Sequence, residues 1–133
     1  MGGTRTRTPA GLVLDTGALI ALERGDKRVI ALLHRALAQG RAFRVPSGVV
    51  GQAWRNGRIQ DTLARFLRSG EVEIVPLDDQ LARSCRELCD AARASDVIDA
   101  SVVIVARERQ DLIVTSDPDD IRRLDPAAQI VTP

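Results

Sequence analysis

The chain has 133 residues, a net charge of +1 and 44% hydrophobic residues, which fits one globular domain that buries a core without disulfides or a structural metal. Its aromatic residues are Phe43, Phe66 and Trp54 alone, so the core must be aliphatic, and no apolar run reaches the length of a membrane span. With His34 as the single histidine, a His-based metal site and a Ser-His-Asp triad are both disfavoured.

The N-terminal stretch "MGGTRTRTPAG" (1–11) is basic but lacks the apolar segment of a signal peptide, and it reads as a flexible arm before a single domain over 12–133. "LVLD" (12–15) predicts a strand, and "TGALIALERG" a helix that stops at Gly25. "DKRVIALLHRALAQG" (26–40) predicts a helix with an Asp cap, an apolar face and a Gly stop. "AFRV" (42–45) predicts a strand, and Pro46-Ser47 opens a helix through "GVVGQAWR" that Asn56-Gly57 ends. "DTLARFLRSG" predicts a further helix, "VEIV" (72–75) an alternating strand, and Leu77 to about Ala94 a long helix. Within that helix Leu81, Cys85, Leu88, Cys89 and Ala92 share one face, which makes the two cysteines small core residues of a reduced, cytoplasmic protein. A helix from Asp96 to about Arg109, a strand at "DLIVT" (111–115), a short helix at "DPDDIRRL" and a strand at "QIVT" (129–132) complete the chain. Aliphatic strands alternating with helices predict a three-layer α/β/α sandwich around a central, mainly parallel sheet.

Open parallel sheets place their ligands beyond the carboxyl ends of the strands. Asp15 ends the first strand and Asp117 follows the strand at 111–115. Asp96 and Asp99, three apart at the start of a helix, share a face and point back toward its N-terminus. Asp96 also suits an ordinary N-cap, whereas Asp99 lies a turn inside an otherwise apolar helix. Carboxylates that converge without a basic partner raise one another's pKa, a cost that a divalent cation removes. All-oxygen donors select Mg²⁺ or Mn²⁺ over zinc.

The segments "LVLDTGALIALE", "VPSGVVGQAWR", "DVIDASVVIVARE" and "LIVTSDPDDI" together resemble a PIN domain, specifically the VapC-type toxin ribonucleases of type II toxin–antitoxin pairs, from about Leu12 to Val131. The resemblance implies Mg²⁺- or Mn²⁺-dependent cleavage of RNA phosphodiesters, leaving a 5′-phosphate and a 3′-hydroxyl. It also implies a small antitoxin protein that covers the site, and a toxin homodimer. The family acids fall on Asp15, Asp99 and Asp117, and the small hydroxyl neighbours on Thr16 and Ser116. One position departs. Many relatives carry Glu where this chain has Gln52, which keeps an oxygen but loses a charge. Asp96 is a candidate to restore it; Asp120 has a weaker claim on the site, and Asp119 is expected to face solvent.

Arg41, Arg44, Arg55, Arg58, Arg65 and Arg68 stand against one acid, Asp61, while residues 111–125 hold five acids against Arg122 and Arg123. A basic arc beside an acidic pocket suits a metal nuclease, with Arg55 and Arg58 as candidate RNA-binding residues. A receiver domain would require paired acids at the first strand, and a haloacid-dehalogenase-type phosphatase would require an acid where Gly17 stands. The remaining rival is a PIN fold weakened at Gln52 that binds RNA or an antitoxin without efficient cleavage.

Overall fold

The computed structural model of the protein describes residues 9–54 and 61–133. Its elements run β1 (Leu12–Leu14), α1 (Thr16–Glu23), α2 (Lys27–Ala38), β2 (Phe43–Pro46), α3 (Ser47–Ala53), α4 (Asp61–Arg68), β3 (Val72–Val75), α5 (Asp79–Ala92), α6 (Val97–Arg109), β4 (Leu112–Val114), α7 (Pro118–Leu124) and β5 (Ile130–Val131). The five strands form one sheet in the order β3-β2-β1-β4-β5, and every pairing is parallel.

Strand β1 occupies the centre of this sheet because it is apolar on both faces. Leu12, Val13 and Leu14 are all buried, and a parallel strand covered on both sides needs that continuous run. Helix α6 packs across β1, β2 and β4 and against α5 and α7, while α1 packs on α3 and α4. Its buried residues, from Ala100 to Ala106, are small or β-branched, which lets the helix lie close to the strands. Cys85 and Cys89 are buried free thiols in the α5 face, and burial pushes the Cys85 thiol up to about 11. They are packing residues.

The edges of the sheet depart from the sequence pattern. In β3 the alternation does not produce a buried face: Val72 and Val75 are half-buried and Ile74 is exposed, because the strand borders the sheet and has a neighbour on one side only. Strand β5 shrinks to two residues for the same reason. Helix α3 ends at Ala53 with Trp54 as its C-cap; the expected stop at Asn56-Gly57 lies outside the described residues.

The chain builds outward from β1 in both directions. It adds β2 and β3 on one side and then returns to add β4 and β5 on the other. The strand order therefore reverses between β1 and β4, and such a reversal opens a crevice at the carboxyl ends of the two strands.

Candidate functional site

That crevice receives the acids. Register pairs Leu12 with Leu112 and Leu14 with Val114, so the residues leaving the two strands, Asp15 and Thr115, emerge side by side. The Asp15 amide donates to the Val114 carbonyl at 3.3 Å. Asp15 also caps α1, its Oδ1 accepting from the Ala18 amide at 2.8 Å. The cap fixes the carboxylate at the mouth of the crevice while leaving acceptor capacity on a group that is only 7% exposed. Burial raises its pKa, the Thr115 hydroxyl and the cap lower it, and the charge of Asp117 raises it again.

Thr115 is fully buried and accepts at Oγ1 from the Asp117 amide at 2.9 Å. One hydroxyl thus connects the two acids of neighbouring strands. The sequence marks Thr115 only as a polar residue ending an apolar run, a signal too weak to assign it this position. Asp117 stands at the N-cap of α7 without making a side-chain cap bond, so its carboxylate is not committed to the helix.

Asp96 and Asp99 come from the start of α6. Asp96 is the N-cap, with Oδ1 accepting from the amides of Ile98 at 2.9 Å and Asp99 at 3.0 Å. The cap assignment is correct, and it leaves Asp96 adjacent to Asp99. Burial pushes the Asp99 carboxyl up to about 6, helped by the charges of Asp96, Asp15 and Asp120 and by a side-chain hydrogen bond with Asp96. Asp120 borders the same cleft as Asp96 and Asp99, and Asp119 is exposed on α7.

Gln52 reaches this edge from α3: its Oε1 accepts from the Thr16 hydroxyl at 2.6 Å. Gly48, one turn earlier, permits the approach of α3 to α6. A Cβ there would press on Ile98 Cδ1, next to Asp99. Ser116 is exposed between Thr115 and Asp117.

The described members of the arginine arc do not share one surface. Arg44 is largely buried and bonds Asp111 at 2.5 Å and Glu73 at 3.2 Å, and Arg41 Nη1 donates to the Ala10 carbonyl at 2.7 Å. Both stand where the strands begin, at the opposite edge from Asp15, and both are committed to holding strands together. Arg65 and Arg68 are exposed on α4. Arg55 and Arg58 lie outside the described residues.

Charge gives the site its character. Among the described residues, Asp15, Asp96, Asp99, Asp117 and Asp120 form no ion pair, whereas buried Asp111 at the other edge is paired with Arg44. The donor set is all oxygen and net negative, which fits a hard divalent cation. Among the described residues no three His, Cys, Asp or Glu side chains stand close enough to enclose an ion as they are. The fit is one of donor chemistry and charge, and a bound cation would have to draw the carboxylates together.

Comparison with known proteins supplies the class. The family model of the PIN domain matches residues 12–126, and the chain belongs to the PIN domain family. Solved structures share the fold. VapBC2 from Rickettsia felis, bound to a promoter DNA fragment, aligns over 91% of this chain and 97% of that one at 16% identity, with a TM-score of 0.69. FitAcB from Neisseria gonorrhoeae aligns over 90% and 95% at 17% identity, with a TM-score of 0.62. Mycobacterium tuberculosis VapC20, a sarcin-ricin loop cleaving toxin, aligns over 77% and 87% at 20% identity, with a TM-score of 0.61. Sequence comparison with curated proteins finds no match. Among the described residues no helix is long and apolar enough to cross a membrane.

Proposed function

We propose that the protein is a divalent-cation-dependent endoribonuclease and the toxin of a VapBC-type pair. The observation that carries this reading is the set of mutually repelling carboxylates, unpaired among the described residues, at the switch point of a PIN-family sheet. Asp15, Asp99 and Asp117 would hold Mg²⁺ or Mn²⁺, with Asp96 supplementing them. When bound, the cation supplies Lewis-acid stabilisation of the charge that builds on a phosphoryl group. The protein's own part is orientation. Asp15 is fixed by its helix cap, the Asp117 backbone by the hydrogen bond its amide donates to Thr115 Oγ1, and Asp99 by its place inside α6. The reaction proposed is in-line attack of water on an RNA phosphodiester, leaving a 5′-phosphate and a 3′-hydroxyl.

The likeness to VapBC2 and FitAcB supports a small antitoxin as partner, the family resemblance supports a homodimer, and the free cysteines support a reduced cytoplasmic setting. A second reading rests on Gln52. The lost carboxylate would leave a module that binds RNA or antitoxin with little cleavage. Incubation with total bacterial RNA separates the two. Fragmentation that requires Mg²⁺ or Mn²⁺, stops with EDTA and is lost in Asp99→Asn supports the enzyme. RNA retention without fragmentation under all metal conditions supports the binding module.

A further inference from the structure

Asp96, Asp99 and Asp120 share their cleft, of about 360 Å³, with two arginines from different elements. Arg93 is the C-cap residue of α5 and Arg123 lies in the last turn of α7. Both are exposed, and neither is ion-paired to the carboxylates beside it or to any other described residue. Two guanidiniums bordering an acidic cleft without neutralising it leave their donors open to an external anion. The forked geometry of Arg matches phosphate oxygens in a bidentate manner.

Arg93 carries a second mark. It adopts the left-handed conformation, with φ 54° and ψ 42°, at the end of a helix, where glycine fits without steric cost. Gln110 does the same at the end of α6, with φ 55°, but it borders a groove with Asp111 at the opposite edge of the sheet. The two positions have the same backbone conformation and different surroundings.

Resting on the ribonuclease reading, the geometry points to Arg93 and Arg123 as the residues that bind RNA phosphates flanking the scissile one. They form a basic rim on the acidic cleft, and they take the role that Arg41 and Arg44 cannot fill. They are positioning residues: their charges hold the strand, and the acids address the bond to be cut.

The test measures binding of a fluorescein-labelled single-stranded RNA as a function of salt, in EDTA so that the RNA stays intact, together with Tm. Arg93→Gly should raise Tm by relieving the left-handed residue, yet weaken RNA binding about tenfold at low salt, as expected for a charged hydrogen-bonding contact. The salt slope of log K should fall by about 0.7. Gln110→Gly should raise Tm and bind RNA like the parent. Arg123→Gln should weaken binding with Tm unchanged. If the parent binds and both arginine variants bind equally well, the arginine assignment is overturned and the ribonuclease reading stands. Equal weakening in Gln110→Gly would also overturn it, because the loss would then follow the helix end instead of the cleft. A parent that fails to bind RNA also overturns the arginine assignment, whereas the ribonuclease reading stands or falls with the cation-dependent fragmentation of RNA.

Discussion

The Thr16 hydroxyl donates to Gln52 Oε1 at 2.6 Å, joining the residue after Asp15 to α3. The contact places residue 52 at the edge of the carboxylate site. Gln52→Glu would keep the acceptor for Thr16 and add a negative charge there. Tighter binding of Mn²⁺, by about tenfold or 1.4 kcal/mol, is the expected outcome in a calorimetric titration. If Asp96 already supplies the compensating charge, the gain should be small in the parent and large in Asp96→Asn. Identical affinities in all four proteins of that double-mutant cycle would remove both roles.

The Asp99 carboxyl is raised to about 6 from the ordinary aspartate value of 3.8, first by burial and then by Asp96, Asp15 and Asp120. Between these two values the folded state holds more protons than the unfolded chain, so stability falls as pH rises through the window. In metal-free protein Asp99 should therefore contribute a higher melting temperature near pH 4.5 than at pH 7. Asp99→Asn should flatten that slope and raise the Tm at pH 7. A variant that melts lower than the parent at pH 7, with the slope intact, would show that Asp99 is a stabilising residue.

At the opposite edge a buried carboxylate is paired. Asp111 Oδ1 accepts from the Gly11 amide at 3.0 Å and its Oδ2 from Arg44, while Arg44 also reaches Glu73. The network ties together the starts of β1, β2, β3 and β4. Removing one partner of a buried pair leaves an uncompensated charge, so Arg44→Ala should cost about 3 kcal/mol in chemical denaturation. Metal affinity should not change. An RNA-binding loss that exceeds the loss of folded protein would restore Arg44 to the substrate surface.

Close approach of α3 and α6 positions the same site from below. Gly48→Ala should destabilise the protein by no more than about 1 kcal/mol, because the new methyl meets Ile98 Cδ1, the movable end of a half-buried side chain, and Ala is the better helix former. Ile98→Val removes that methyl and should recover most of the loss in the double variant. Additive destabilisation would mean that the two residues do not meet.

Much of this architecture was legible in the sequence. The aliphatic runs at 12–15 and 111–115, separated by helical segments, imply buried parallel strands, and Asp15 and Asp117 follow from them as residues at one sheet edge. Asp96 and Asp99 were readable because a helix start fixes their spacing. The arginines were not legible, since a count of charges along the chain does not say at which end of a strand each stands. Arg44 follows Phe43 at the start of β2 and turns to Asp111, a partner 67 residues away. Arg93 and Arg123 are distant in sequence and border one cleft through the mutual packing of α5, α6 and α7. Thr115 escaped notice for a similar reason: its importance lies in the neighbouring strand that sets Asp15 beside it.

Whether Asp15, Asp99 and Asp117 share one cation is tested most directly by titrating Mn²⁺ and following the free ion by electron paramagnetic resonance. The parent should bind the ion, and Mg²⁺ should compete for the same site. Asp15→Asn, Asp99→Asn and Asp117→Asn should each lose at least tenfold in affinity, with folding intact by circular dichroism. Binding that is unchanged in all three variants, or absent from the folded parent, would contradict a cation site at this edge of the sheet.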